Sequence, residues 1–407
     1  MTSDRLSVID EIFLRTHRGY GLPIVLQGLL RSDETIARVE LAAAHANLSM
    51  GLLGRKVVTP SIPGARRRWA PNSESLPLAF EDSRLAESEL LDWADAQADV
   101  DLDPEYGPGW RLSSTTTDNG GTLASLVCSH ALADAAGLIS AAVLAFGGTA
   151  PQHHLSHHSS DLLDAVRLGT SVTARSLRAV AGLTLHAESR RELTAFLRAP
   201  KKIESHSAVV TTAVFDIDGA MTNAEFISLV SGIAVELGHR SPVTVNVPFR
   251  SSTPGANGIG MATIEVSPGE TVADIGAACK AAFTGPAGAP SGFPAEAVQL
   301  LPDRVAASLT AGPGSAPVLC SNIGKLPAAI YSIGPHRART VATRAMHPGA
   351  EGTATVNSLS AYLASTGTTS TLSLVGTDAQ LAPTSDALRD GAQSVLTRRR
   401  LDARSWR

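Results

Sequence analysis

Two segments of alternating apolar and polar residues flank the sequence Thr117-Asp-Asn-Gly-Gly121, and the second segment leads directly into an alanine- and leucine-rich stretch. The glycines and Asx residues between the two segments favour a tight turn, so this region predicts a β-hairpin. Residues 131–146 predict a helix that ends at Gly147-Gly148, because alanine and leucine favour helices and glycine commonly follows their last turn. A strand pair that continues into a helix is typical of an α+β fold.

The rest of the first half also mixes helices and strands. Ser7-Val-Ile-Asp10 predicts a capping box that opens a short helix, since the serine and aspartate side chains satisfy the first free amides. A strand is predicted at residues 24–27, and an amphipathic helix follows it, with apolar positions near helical spacing between residues 36 and 46. A further helix is predicted at residues 84–98.

The chain of 407 residues is long enough for two folding units. Residues 149–160 are polar, and helical segments continue from there to about residue 199, which indicates a crossover. We therefore divide the chain into an N-terminal half (1–160), a helical crossover (161–206) and a C-terminal half (207–407). In the C-terminal half, strands are predicted at residues 208–215, 243–248, 259–266, 317–321, 354–361 and 369–374.

Composition excludes some functions. The formal net charge is −4, from 34 basic and 38 acidic residues, so no general positive field gathers nucleic acid or an anionic membrane. The longest apolar stretch, at residues 132–146, contains Asp134 and is too short for a membrane-spanning helix. The three cysteines, Cys128, Cys279 and Cys320, show no close pairing, which fits a reducing compartment. We expect a cytoplasmic protein.

His130 is the strongest candidate for chemistry. The sequence Cys128-Ser-His-Ala-Leu-Ala-Asp134 places an imidazole at the end of a hydrophobic strand, where side chains leave the sheet and can face a cleft. A neutral histidine can take a proton from an attacking hydroxyl or amine, which typically contributes about 10²- to 10⁴-fold in rate. Asp134 either orients His130 or anchors the strand-to-helix junction as a cap and the partner of an arginine, and we favour the anchor.

Other kinds of site find less support in the sequence. A Gly-x-Ser-x-Gly nucleophile near His130, a phosphate-binding loop and a dinucleotide fingerprint are all missing. Four histidines at 153, 154, 157 and 158 have i,i+4 spacing, but no carboxylate or cysteine lies among them, so a solvated linker is the better interpretation. Ser321 and Asn322 either donate to a tetrahedral oxyanion or satisfy neighbouring backbone at a strand end. We expect no metal and no redox cofactor.

Several motifs follow one another in a characteristic order: Gly107-Pro-Gly-Trp-Arg111, Ser129-His130-Ala-Leu-Ala-Asp134-Ala135, Val243-Thr-Val-Asn-Val-Pro-Phe-Arg250 and Cys320-Ser-Asn322-Ile-Gly324. Together they resemble the chloramphenicol-acetyltransferase-like acyltransferase superfamily, whose motif is His-His-x-x-x-Asp-Gly. That superfamily includes condensation domains of nonribosomal peptide synthesis, polyketide-associated acyltransferases, and wax ester synthase or diacylglycerol acyltransferase enzymes. The beginning and the second half look closer to the lipid and polyketide enzymes.

The resemblance implies two similar α+β halves in a V, with the active site in a tunnel between them. It places the catalytic histidine at His130 and a mainly structural aspartate at Asp134. Two positions depart from the family motif, with Ser129 in place of the first histidine and Ala135 in place of the glycine. The family's arginine after His45 is replaced by Ser49, so we expect Asp134 to pair with Arg250 instead.

The function implied by this resemblance is acyl transfer by a free-standing enzyme. His130 would activate a hydroxyl or an amine to attack the thioester of an acyl-coenzyme A or an acyl carrier protein, in lipid or polyketide biosynthesis or other secondary metabolism. Ester formation is favoured over amide formation. The alternatives are a non-catalytic binding or scaffold protein that retains the fold, and another reaction, such as cyclisation, in a tunnel of the same shape.

Overall fold

The computed structural model describes residues 4–148, 160–187, 189–191, 194, 206–250, 259–284, 294–310, 316–355 and 357–406. Within these ranges the chain is a mixed α+β structure with two main sheets, of five and eight strands. The predicted α+β class is therefore confirmed. The histidines at 153, 154, 157 and 158 lie outside the described residues, and so does the side chain of Arg250. The division at residues 160 and 207 stays a prediction.

The elements of residues 4–187 are five helices and six strands among the described residues. In chain order they are α1 (Val8–His17), β1 (Val25–Ser32), α2 (Arg38–Met50), β2 (Arg55–Val58), β3 (Arg68–Pro71), β4 (Ala79–Leu85), α3 (Leu90–Ala98), β5 (Trp110–Thr117), β6 (Thr122–Ser129), α4 (Ala135–Phe146) and α5 (Asp161–Leu185).

The elements after residue 205 include the strands of the larger sheet with its covering helices, one strand of the smaller sheet, a separate two-stranded sheet and a helix that contacts α1. They are β7 (His206–Asp218), α6 (Asn223–Glu236), β8 (Val243–Arg250), β9 (Ile259–Val266), α7 (Val272–Thr284), α8 (Asp303–Thr310), β10 (Val318–Lys325), β11 (Ser332–Ile333), β12 (His336–Arg337), β13 (Thr340–Met346), β14 (Ala354–Thr355), β15 (Leu359–Ser365), β16 (Thr369–Asp378), α9 (Ser385–Arg398) and β17 (Ala403–Ser405).

The five-stranded sheet has the order β13-β1-β6-β5-β4, so a strand from late in the chain completes a sheet built from early strands. Strand β13 pairs antiparallel with β1, with Val25 opposite Met346 and Arg31 opposite Thr340. The hairpin of β5 and β6 lies at the centre of the sheet and turns through Thr117–Gly121, as the sequence predicts. Strand β4 continues the sheet parallel to β5.

The eight-stranded sheet follows the order β14-β7-β16-β15-β10-β8-β9, with β17 paired to β7. Its strands and the helices α6, α7 and α9 share one hydrophobic core. The principal core of the molecule also contains Tyr362, Ala364 and Val375 from β15 and β16, packed with residues of the smaller sheet. The two sheets are therefore in direct contact through buried apolar side chains, which is the arrangement that positions the site described below.

Predicted and observed elements differ most clearly at two places. The helix predicted at residues 84–98 begins only at Leu90, because Ala79–Leu85 is a strand and Glu87–Glu89 is a single 3₁₀ turn. The strand predicted at residues 354–361 is divided between β14, which pairs with β7, and β15, which pairs with β10 and β16.

Among the described helices, none has a continuous apolar length sufficient to cross a membrane.

Candidate active site

The junction between β6 and α4 fixes the position of His130. Strand β6 ends at Ser129, and α4 begins at Ala135 with Asp134 as its N-cap. The Asp134 side chain accepts a hydrogen bond from the backbone N–H of Gly137 at 2.7 Å, which satisfies one of the free donors of the first helical turn. The backbone N–H of His130 donates to the carbonyl of Ile24, next to β1, at 3.0 Å.

The His130 imidazole is held against Phe13 of α1. The two rings are stacked, with centroids 3.5 Å apart and an angle of 16° between their planes. The helix that carries Phe13 opens with the predicted capping box, since Ser7 and Asp10 exchange hydrogen bonds at its N-terminus. The capping box fixes where α1 begins, and the start of α1 determines where Phe13 lies on the helix. This sequence signal therefore helps to decide which side chain packs on His130.

Burial controls the protonation of His130. Loss of solvent lowers the pKa of the imidazole to about 4, and the negative charge of Asp134 opposes this shift. Among the described residues, the Nδ1 atom has no hydrogen-bond partner. The ring is consequently uncharged at neutral pH and able to accept a proton.

His130 lines a cavity of about 320 Å³. One side of the cavity comes from the smaller sheet and its helices, and the other from β8, β9, β10 and β15 of the larger sheet. Most of the wall is apolar, with side chains such as Phe13, Leu26, Leu138, Pro248, Leu319 and Tyr362. A concave apolar site with a few polar groups is the usual form of a small-molecule site.

The two predicted oxyanion donors lie on opposite faces of β10. Ser321 lines the cavity together with its alternate neighbours Leu319 and Ile323. Asn322 is not among the cavity-lining residues: its amide donates toward Asn223 at 3.4 Å, and its oxygen accepts from the backbone N–H of Gly324 at 2.9 Å. Because side chains alternate along a strand, only Ser321 of this pair reaches the site.

Arg55 is a charged residue near the junction that the sequence motifs do not identify. Its guanidinium lies 3.9 Å from the centroid of the Trp69 ring and donates to the carbonyl of Leu132 at 2.6 Å. Burial lowers the pKa of Arg55 to about 10, and the charges of Asp10 and Asp134 oppose the shift. Arg55 thus supplies positive charge near Asp134. The predicted pairing of Asp134 with Arg250 depends on a side chain outside the described residues and stays a prediction.

Replacing Asp134 with alanine is expected to destabilise the protein by about 1 kcal/mol through loss of the helix cap. Asp134→Asn should retain most of this stability, because an asparagine oxygen can also accept the Gly137 N–H. Urea unfolding of both variants measures the difference. A loss that is equal in both would instead assign the effect to the negative charge.

His347 is a second histidine on the same cavity, and the sequence motifs give no signal for it. It follows directly after β13, and its Nδ1 lies 3.2 Å from the carbonyl oxygen of Pro23. His347 is buried, and burial lowers the pKa of its imidazole, opposed by the Pro23 carbonyl. Among the described residues, no cluster of three or more potential ligands has metal-binding geometry.

Comparison with known proteins gives similarity in structure only. No protein-family model matches the chain, and no curated protein matches it. One similar structure is the first condensation domain of the calcium-dependent antibiotic synthetase, in complex with a substrate analogue. The alignment covers 98% of this chain and 95% of that domain, with 14% sequence identity and a TM-score of 0.58.

Two further solved structures are similar over nearly their whole lengths. One is a variant of the starter condensation domain of the rhizomide synthetase RzmA. The alignment covers 97% of this chain and 93% of that domain, with 12% sequence identity and a TM-score of 0.54. The other is SgcC5 from Streptomyces globisporus, where the alignment covers 97% of this chain and 99% of SgcC5, with 14% sequence identity and a TM-score of 0.50. The fold of this chain is therefore that of condensation domains.

Proposed function

We propose that this protein is an acyltransferase that moves an acyl group from a coenzyme A or carrier-protein thioester to a hydroxyl or amine, with His130 as the general base. The observation that carries the proposal is an uncharged imidazole on a mostly apolar cavity between the two sheets. In this proposal the two halves form a V and the cavity belongs to a tunnel through which both substrates reach His130.

The proposed reaction proceeds by direct transfer. His130 takes the proton of the acceptor's O–H or N–H as that atom attacks the thioester carbonyl carbon. The resulting tetrahedral intermediate collapses, the C–S bond breaks, and the leaving thiolate takes the proton from the imidazolium. An ester or amide and a free thiol are the products, and His130 returns to its uncharged form.

Ser321 and the three cysteines favour a role in positioning the substrates over covalent catalysis. Ser321 is the side chain best placed, of the two predicted donors, to hydrogen-bond the developing oxyanion. The three cysteines are buried, and burial raises the pKa of Cys128 to about 12, so this residue near His130 is a poor nucleophile. A thioester is already activated, which leaves alignment and proton transfer as the main tasks of the protein.

The proposal is tested by incubating the protein with acetyl-, octanoyl- and palmitoyl-coenzyme A, or with the matching carrier-protein thioesters, and with primary alcohols and amines. Thiol release and the mass of the product are both measured. A product heavier than the acceptor by one acyl group supports acyl transfer. Free acid alone indicates hydrolysis, and absence of thiol release across the panel favours a binding protein; each of these results overturns the proposal.

Acid pH is expected to affect the rate less than an ordinary histidine base would predict. Because the pKa of His130 is about 4 in the folded protein, the base stays unprotonated down to that pH, and kcat/KM for an alcohol acceptor, which does not titrate in this range, should be level between pH 7 and pH 5. The same shift makes folding less favourable as pH falls from 6.5 to 4, since only the unfolded chain gains the proton there. An acid limb near pH 6.5, measured while circular dichroism stays unchanged, contradicts this assignment.

A further inference from the structure

His347 is the one described residue that lines both of two cavities. These are the 320 Å³ cavity that contains His130 and a second cavity of about 410 Å³. The second cavity is bounded by the end of α3 and by residues that follow β13. Because no other described residue lines both cavities, a route between them would run beside His347.

The contact with Pro23 determines which nitrogen of His347 is available. A backbone carbonyl only accepts hydrogen bonds, so the Nδ1 atom, 3.2 Å from the Pro23 oxygen, carries the proton of the imidazole. Burial disfavours a second proton on the ring. The Nε2 atom is consequently an acceptor, and the structure gives it no hydrogen-bond partner among the described residues.

The second cavity has an acidic lining. Asp95, Asp99 and Glu351 contribute carboxylates to it, and its lining includes no lysine or arginine. The charge of Asp95 is balanced by Arg344, whose Nη2 lies 2.6 Å from its Oδ1, while Asp99 and Glu351 are exposed. Negative potential at this cavity disfavours the phosphates of a thioester donor and favours an uncharged or cationic acceptor.

We propose that His347 is a positioning residue for the acceptor substrate, which enters through the acidic cavity and donates an N–H or O–H hydrogen bond to Nε2. This inference rests on the proposed acyl transfer. His130 removes the proton from the reacting atom, so the acceptor must carry a second hydrogen-bond donor for His347. A primary amine supplies it as its other N–H, and a 1,2-diol supplies it as the neighbouring hydroxyl, whereas a monohydric alcohol has none.

A pair of substitutions separates substrate positioning from a structural role. In His347→Asn the side-chain amide can still donate to the Pro23 carbonyl, but nothing replaces Nε2. In His347→Leu both interactions are lost. We expect His347→Asn to melt like the wild type and to raise KM for hexylamine and 1,2-hexanediol by about three- to tenfold, the usual effect of one hydrogen bond. KM for the thioester and for 1-hexanol should be unchanged.

Two results would overturn the inference. If His347→Asn retains wild-type KM for all acceptors while His347→Leu only loses stability, the residue is structural. If KM for 1-hexanol rises as much as KM for hexylamine, no second donor is being recognised. Turnover is not needed for a decision: hexylamine should shift the His347 Nε2 resonance in ¹H–¹⁵N spectra of the wild type, and failure to do so rejects the site even where acyl transfer is observed.

Discussion

Substituting His130 with alanine is expected to lower kcat/KM for acyl transfer by about 10²- to 10⁴-fold, the contribution of a well-placed general base. The imidazole lines the cavity and is uncharged at neutral pH, so its loss removes the proton acceptor and leaves the apolar walls in place. Initial rates of thiol release at varied acceptor concentration give kcat and KM separately. The decrease should appear mainly in kcat.

Ser129→Ala is the matched control for this experiment. Ser129 precedes His130, but it lines a different cavity, and its Oγ accepts a hydrogen bond from the backbone N–H of Ala131 at 3.3 Å. Its substitution should leave the rate unchanged. Because His130→Ala also removes the stacking contact with Phe13, the melting temperature of each variant is measured, and rescue by added imidazole is tested. Equal thiol release by His130→Ala and the wild type would reject His130 as the base.

The sequence predicts an element correctly where the interactions that begin or end it are made by residues close together in the chain. The turn at Thr117–Gly121 and the capping box at Ser7 are both formed by residues within four positions of one another. Strand Ile259–Val266 has the predicted bounds. The predicted start of the helix near residue 131 was four residues early, because Asp134 caps the helix and residues 130–133 form the connection from β6.

Strand β13 could not be predicted from the pattern of apolar and polar residues in its own segment. It lies more than 300 residues after β1, with which it pairs, and nothing in either segment specifies the other. One of its residues, Arg344, has a fully buried side chain, although an arginine in a short strand usually faces solvent. A pattern of alternating burial therefore could not identify β13, because both of its faces are covered.

The residues that line the cavity were predicted in part, and their catalytic roles stay predictions. The motif identified His130, and the period of two along β10 explains why Ser321 reaches the cavity while Asn322 does not. Arg55 and His347 were missed because each follows or begins a strand far from the motif in sequence. Only the folded chain brings Arg55 to the carbonyl of Leu132 and His347 to that of Pro23.

The buried ion pair between Arg344 and Asp95 should have the largest effect on stability. The Arg344 side chain is 0% exposed and that of Asp95 is 29% exposed, with 2.6 Å between Nη2 and Oδ1. The Arg344 Nε also donates to Gln27 at 2.7 Å, and the Thr212 hydroxyl donates to Asp95 at 2.8 Å. The pair thus links β1, β13 and α3 of the smaller sheet to β7 of the larger one.

Asp95→Asn is expected to reduce the free energy of unfolding by about 3 to 5 kcal/mol, because it leaves a buried guanidinium without a counter-charge. Arg344→Met should cost less, since the remaining Asp95 carboxylate lines the 410 Å³ cavity and can be hydrated there. The double variant should be more stable than Asp95→Asn alone. Urea unfolding of the four proteins in a double-mutant cycle measures the coupling.

The exposed pair of Arg404 and Asp218 provides the comparison. Its atoms are 2.9 Å apart, but the side chains are 59% and 50% exposed, so Arg404→Met should change stability by less than about 1 kcal/mol. The order of the variants by their loss in free energy of unfolding decides the interpretation. If Arg344→Met is more damaging than Asp95→Asn, packing of the arginine stem stabilises the contact between the sheets; if Asp95→Asn is no worse than Arg404→Met, the buried charge is compensated by Gln27 and the surrounding backbone.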